Sequence, residues 1–185
     1  MSRPRANLRL FVAIYPPVDI SRQLLGSLES HDLPEHRTIP AEQLHMTLHF
    51  IGDVPSKQLD ATSEAVQRAT AGISAFDLTV QRLITLGQRG RARLVAAETD
   101  RPPELLEIQR RLVTRLARSP RRDASDRFRP HLTLCRFKKP TKGIALDSPL
   151  DTEPFRVQQV VLMKSTLRSD GAQHHEIMSC ALSFG

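Results

Sequence analysis

Two segments carry side chains suited to proton transfer at phosphorus: His45-Met46-Thr47-Leu48 and His131-Leu132-Thr133-Leu134, 86 residues apart. Each sits in a stretch that alternates polar and apolar residues, Leu44 to Ile51 and His131 to Phe137, the pattern of a half-buried β-strand. Residues two apart in a strand point the same way, so each copy sets an imidazole beside a hydroxyl and turns its apolar residues to the other face. An imidazole with its ordinary pKa of about 6.5 holds both protonation states within reach of neutrality, so one ring can donate a proton while another accepts one. The hydroxyls can donate hydrogen bonds to phosphate oxygens. Two such strands face to face would form a His/Thr–His/Thr quartet suited to in-line attack at phosphorus without a metal. One copy alone would more often be structural; the second, at the matching place in the other half of the chain, lifts the pair above that bland reading.

The elements that must position the quartet can be read from the flanking pattern. Leu8 to Tyr15 is an apolar run closed by Pro16-Pro17, as expected of a buried strand. A helix follows with Asp19 as its N-cap and Ile20, Leu24, Leu25 and Leu28 on one side. In the first motif strand His45, Thr47 and His49 share the inward face, opposite Met46, Leu48 and Phe50, and Gly52-Asp53 ends it; His49 is read there as a supporting or buried residue. Pro55 opens a helix carrying Leu59, Ala65, Val66 and Ala69, and Phe76 to Ile84 is a further strand. The order begins again at Arg91: a strand at Ala92 to Glu98, a helix opened by Pro102-Pro103 with Leu105, Leu112, Val113 and Leu116 on one side, a polar loop at Ser119 to Arg129, and the second motif strand. Lys139 to Pro154 is broken by Pro and Gly where a perfect repeat would place a helix. Strands at Phe155 to Thr166 and His174 to Phe184, joined across Ser169-Asp170-Gly171, close the chain as a hairpin. A duplicated β-α-β-α-β unit is predicted, one domain over 1–185 with lobes at roughly 1–90 and 91–185.

Composition narrows the class. The chain has 185 residues, 39% apolar and 25% charged, as in globular proteins, and no run long enough to span a membrane. It is read as cytoplasmic, with Cys135 and Cys180 as buried, unpaired thiols. The net charge is +7, and Arg82 to Lys139 alone holds 16 basic against 6 acidic residues, a field that favours polyanions. Trp is absent and aromatics make up 4%, so an aromatic base-stacking platform is poorly supplied. No His, Asp or Glu cluster has metal-ligand spacing, and no cofactor is expected.

The motifs with their surroundings resemble the 2H phosphoesterases, and among them the RNA 2′,3′-cyclic phosphodiesterases, also called 2′–5′ RNA ligase-like proteins. The resemblance is carried by Arg9 to Ile14 (RLFVAI), Leu44 to Val54 (LHMTLHFIGDV), Phe128 to Arg136 (FRPHLTLCR), Val160 to Ser165 (VVLMKS) and Gly171-Ala172, and so spans nearly the whole chain. It implies a bilobal α+β fold with antiparallel sheets facing a central cleft and helices outside. It also implies metal-independent opening of RNA 2′,3′-cyclic phosphate ends, tRNA fragments included, to 2′-phosphomonoesters by a monomer. Carried over by position, His45 would be the proton donor and His131 the proton acceptor, while Thr47, Thr133 and Arg136 would bind the phosphate. The residues themselves specify only a symmetric pair. Strict alternation places Arg136 opposite His131, so a bulge or the end of the strand must turn it toward the phosphate.

The chain departs from the family pattern in lacking Trp and in carrying His174 where a Tyr is common, which bears on contacts at the substrate rim. His174 and His175 are read as exposed near the hairpin, and His31 and His36 as loop residues. Alternatives within the resemblance are RNA 2′–5′ ligation, the microscopic reverse, or action on another cyclic phosphate such as an ADP-ribose cyclic phosphate. The alternative of another class is a non-catalytic RNA-binding protein, for which two opposed imidazoles would have no use.

Overall fold

A computed structural model describes residues 7–116, 128–168 and 171–184. The first strand, β1 (Asn7–Ile14), buries five consecutive residues from Leu10 to Ile14, as its unbroken apolar run requires. Pro16-Pro17 ends it, and α1 (Val18–Gly26) starts directly afterwards. Pro17 holds the capping position, so Asp19 is not the cap; it lies in the first turn, where its carboxylate complements the positive end of the helix dipole. A short strand, β2 (His36–Thr38), takes in His36, which was expected in a loop.

The first motif strand, β3 (Met46–Pro55), continues past Gly52-Asp53, where an end was expected. Gly52 supports this by adopting φ +81°, a conformation L side chains rarely take. A 3-10 turn (Ser56–Gln58) then leads into α2 (Leu59–Thr70). The single strand expected over Phe76 to Ile84 is two, β4 (Phe76–Leu78) and β5 (Val80–Gln88), which belong to different sheets. Next come β6 (Arg91–Thr99) and α3 (Pro103–Leu116), with Pro103 in the first helical position, where its missing N–H costs nothing. The second motif strand, β7 (His131–Lys142), is longer than the motif, and β8 (Asp147–Pro149) lies in the Pro- and Gly-broken stretch. The chain ends in β9 (Phe155–Val157), β10 (Gln159–Arg168) and β11 (Gly171–Ala181). Residues 119–127 of the polar loop and Ser169-Asp170 of the hairpin turn lie outside the described residues.

Two antiparallel sheets result, in the orders β11-β10-β1-β3 and β2-β7-β6-β5-β8, with β4 and β9 paired separately. This is the α+β class expected. The duplication is visible in β1-α1-β3 and β6-α3-β7, where a helix links two strands that are neighbours in a sheet. The boundary expected near residue 90, however, does not divide the sheets. β5, from the first half, flanks β6, whereas β10 and β11, from the end of the chain, flank β1. A strand buried along its length cannot leave one edge of N–H and C=O groups unpaired, so β1 needs β10 on the side that β3 does not cover. The exchange ties the halves together, and one hydrophobic core draws on both sheets and all three helices, including Val12, Leu24, Val66, Val95, Leu112 and Leu134. Both cysteines are buried and unpaired. Among the described residues no helix is long and apolar enough to cross a membrane.

Candidate active site

The two motif strands approach each other across the seam between the sheets, and His45, Thr47, His131 and Thr133 line a single cavity of about 350 Å³ there. Both imidazoles are anchored alike. Nδ1 of His45 donates to the Gln43 carbonyl at 2.7 Å, and Nδ1 of His131 to the Arg129 carbonyl at 2.7 Å, each two residues upstream. A carbonyl only accepts, so Nδ1 carries the hydrogen in both rings and Nε2 is left to act. The second anchor is braced further: Arg129 hydrogen-bonds Glu98, which lies opposite His131 in the sheet and also accepts from Arg82 at 2.8 Å. These arginines hold the Glu98 carboxyl below the usual carboxylate range. The Thr47 and Thr133 hydroxyls are engaged by no other described residue.

The bulge that Arg136 requires is present, and it occurs twice. In β7 the register against β6 passes from Thr133 to Cys135 and skips Leu134; in β3 the register against β1 passes from Thr47 to His49 and skips Leu48. The leucine of each motif is therefore the inserted residue, and a one-residue insertion flips every later side chain to the opposite face. Arg136 accordingly lines the cavity with His131. In β3 the same flip overturns the expectation for His49: it pairs with the core residue Val12 and leaves the face of Thr47, while Phe50 takes the cleft side.

Burial pushes the His45 pKa down to about 4, opposed by the hydrogen bond to Gln43 and reinforced by His174, Arg136 and His131. His131 is also lowered, by burial first and then by Arg129 and Arg136, with Glu98 and the backbone bond opposing. The His45 ring rests in an aromatic nest with centroid distances of 5.1 Å to Phe11, 5.3 Å to Tyr15 and 5.0 Å to His174. His174, expected to be exposed, is half-buried and lines the cavity, whereas His175 is exposed. The reversal follows from β11 starting at Gly171, which makes His174 a sheet residue in register with Ser165 of β10.

Sequence reasoning missed Arg9, Arg37 and Phe50, which also line the cavity. Arg9 had a signal: it alternates along β1 with Phe11 and Ala13, which form a second, smaller buried cluster on the face opposite the main core. Arg37 had none, since β2 is three polar residues, and it joins the site by pairing with Arg136 across the β2–β7 ladder. Among the described residues no three His, Cys, Asp or Glu side chains are grouped as a metal site would require.

The chain is 29% identical to an RNA 2′,3′-cyclic phosphodiesterase of Escherichia coli strain K12 over 99% of both sequences. The crystal structure of E. coli LigT complexed with 3′-AMP superposes with a TM-score of 0.77 at 27% identity, covering 96% of this chain and 98% of that one. The structure of TT0787 of Thermus thermophilus, at 22% identity, shares the fold with a TM-score of 0.82 over 95% of this chain and 98% of that one. The model of one family matches residues 16–168, which hold both motifs and most of the two sheets, and the chain belongs to that family, the 2′-5′ RNA ligase superfamily.

Proposed function

We propose that this protein hydrolyses RNA 2′,3′-cyclic phosphate ends to 2′-phosphomonoesters, with His45 as proton donor and His131 as proton acceptor. The observation that carries the reading is the matched pair of imidazoles. Each is locked through Nδ1 to a carbonyl and so frees Nε2 at one cavity, beside two unengaged hydroxyls and Arg136. Water attacks phosphorus while its proton passes to Nε2 of His131. The P–O3′ bond breaks, and the departing 3′-oxygen takes the proton held on Nε2 of His45. Thr47 and Thr133 donate to the non-bridging oxygens, and Arg136 offsets the charge that develops on them. The assignment of donor and acceptor follows the family pattern, and the pair supplies acid and base without a metal-bound water. The named activity of the E. coli relative and the nucleotide bound by LigT support the substrate class.

The test is turnover of a 2′,3′-cyclic nucleotide in EDTA. Production of 2′-phosphomonoester at the rate seen without chelator is expected, and His45→Ala and His131→Ala should each lower kcat by at least about 10²-fold. Failure to open any cyclic phosphate, loss of activity on chelation, or near-normal rates in both variants would overturn the proposal.

A further inference from the structure

The two imidazoles are tied alike, but the carbonyls that hold them are not held alike. Gln43, the anchor of His45, closes a 3-10 turn (Ala41–Gln43) fixed by its own backbone bonds, from Gln43 N–H to the Pro40 carbonyl at 2.9 Å and from Leu44 N–H to that of Ala41 at 3.3 Å. Arg129, the anchor of His131, lies in neither helix nor strand. Its neighbour Pro130 accepts one backbone bond, from Thr99 N–H at 3.3 Å, while Arg129 is tied down through its side chain, to Glu98. Glu98 is gripped in turn by Arg82, which also reaches Asp147 at 3.4 Å. The carboxylate is the sheltered member of this network: 12% of its side chain is exposed, against 45% for Arg82 and 49% for Arg129.

The charges differ as well. The cavity wall carries Arg9, Arg37 and Arg136 and no carboxylate, with His45 and His174 across from His131, so a ring that takes up a proton there becomes a cation among cations. Glu98 and His131 are directly opposed in the β6–β7 ladder, which sets them on one face of the sheet with Cβ atoms about 5 Å apart. Burial disfavours charge on His131 most, the backbone bond opposes it, Arg129 and Arg136 add to it, and Glu98 counters them. Around His45 burial again comes first, and His174, Arg136 and His131 all reinforce it.

We infer that Glu98 is the positioning residue of the proton acceptor: through Arg129 it holds the carbonyl that orients His131, and from the neighbouring strand it faces the charge His131 gains on taking a proton from water. This rests on the proposed function, and it supplies the difference that opposite roles require of two motifs that are symmetric in sequence. Glu98 takes no proton in the reaction. Arg129 and Arg82 keep its carboxyl below the usual carboxylate range, so it stays ionised while the ring beside it charges.

The test follows the His131 ring by NMR of 15N-labelled imidazoles in the free protein, which requires no turnover, alongside steady-state hydrolysis of a 2′,3′-cyclic nucleotide. Glu98→Gln keeps the size of the side chain and removes its charge. It is expected to lower the ratio of charged to neutral His131 at a fixed acid pH by at least about threefold, the effect of one charge about 5–6 Å away even when screened as in water. It should also lower kcat by between about twofold and a hundredfold, the range that coupled residues of one network show, with KM within about twofold. Glu98→Asp, which keeps the charge, should return both readouts toward wild type. Arg129→Gln should lower kcat too, and the double variant should cost less than the product of the two single losses, because both act through one carbonyl. An unmoved His131 titration in Glu98→Gln, a kcat within about twofold of wild type, or losses that multiply in the double variant would each overturn the inference and leave an ion pair that only joins two strands. A wild-type protein that opens no cyclic phosphate but whose His131 still follows Glu98 would sink the proposed function while leaving the hold of Glu98 on the ring standing.

Discussion

The proposed mechanism asks His45 to give up a proton, yet in the free protein it holds one poorly. Burial in the aromatic nest and the facing His174, Arg136 and His131 bring its pKa to about 4, and His131 is lowered as well. Both rings are therefore neutral at pH 7 before substrate arrives. The reacting form needs His45 protonated and His131 neutral, and a phosphodiester anion in the cavity favours the charged imidazole. Accordingly kcat/KM, which reports the free enzyme, should peak below pH 6.5 and fall as pH rises toward neutrality, where both rings of the free protein are neutral. The kcat profile, which reports the bound state, should lie at higher pH. Both should be bell-shaped, with limbs that belong to the coupled pair rather than to either ring. Steady-state rates between pH 4 and 9 would settle this; a kcat profile on the acid side of the kcat/KM profile would mean that substrate does not supply the charge His45 needs. His174→Gln removes a facing imidazole whose protonation opposes that of His45, and should shift the alkaline limb of kcat/KM upward.

At the level of elements, the site depends on two strands that break their own alternation at the same motif residue. Gly52 belongs to this irregularity. The β1–β3 register skips again at Ile51, between the Phe11–Phe50 and Leu10–Gly52 pairs, and Gly52 takes φ +81° there. A Cβ at Gly52 would meet only the Phe50 ring, at 3.8 Å, so sterics do not forbid it, whereas the backbone conformation does penalise it. Gly52→Ala should therefore lower unfolding free energy by about 1–2 kcal/mol, the cost of a left-handed conformation for an L residue. Urea denaturation would measure it, and a loss near zero would show that β3 can re-register without Gly52. The same bulges explain which parts of the site were legible. His45, Thr47, His131 and Thr133 precede the inserted leucines, so period-two reasoning places them correctly. From Leu48 onward the period is shifted by one, and His49 and Phe50 exchange faces. Arg136 was expected at the phosphate only because the family pattern places an arginine there, against strict alternation. β2 escaped notice because its three residues are polar, and the exchange of β5 and β10 between sheets leaves no mark in hydrophobic periodicity, which reports burial but not the partner strand.

Across the whole molecule, the described part of the charge excess between Arg82 and Lys139 is not concentrated in the cleft. Of its described basic residues only Arg136 lines the cavity, whereas Arg9 and Arg37 reach it from outside that stretch. Several of the others are neutralised where they stand: Arg82 and Arg129 by Glu98, Arg110 and Arg111 by Glu107. Among the described residues, Arg89, Arg91 and Arg93 of the β5–β6 hairpin meet Lys142 of β7 around one open depression at the far end of the second sheet. All four are exposed, and none pairs with a carboxylate among the described residues. An unpaired cationic patch away from the reacting groups can hold the backbone of a long RNA without taking part in the chemistry, and such binding reveals itself by its response to salt. Reversing Arg89, Arg91 and Arg93 to Glu should weaken binding of an RNA oligonucleotide. It should also flatten the slope of log K against log salt by about 0.7 for every phosphate that the patch no longer neutralises, while turnover of a 2′,3′-cyclic mononucleotide stays within about twofold. Titrations at several salt concentrations would separate the effects. An unchanged slope would leave the hairpin patch as solvated surface and return the task of attracting RNA to Arg9, Arg37 and Arg136, where any loss of charge would register in small substrates as well.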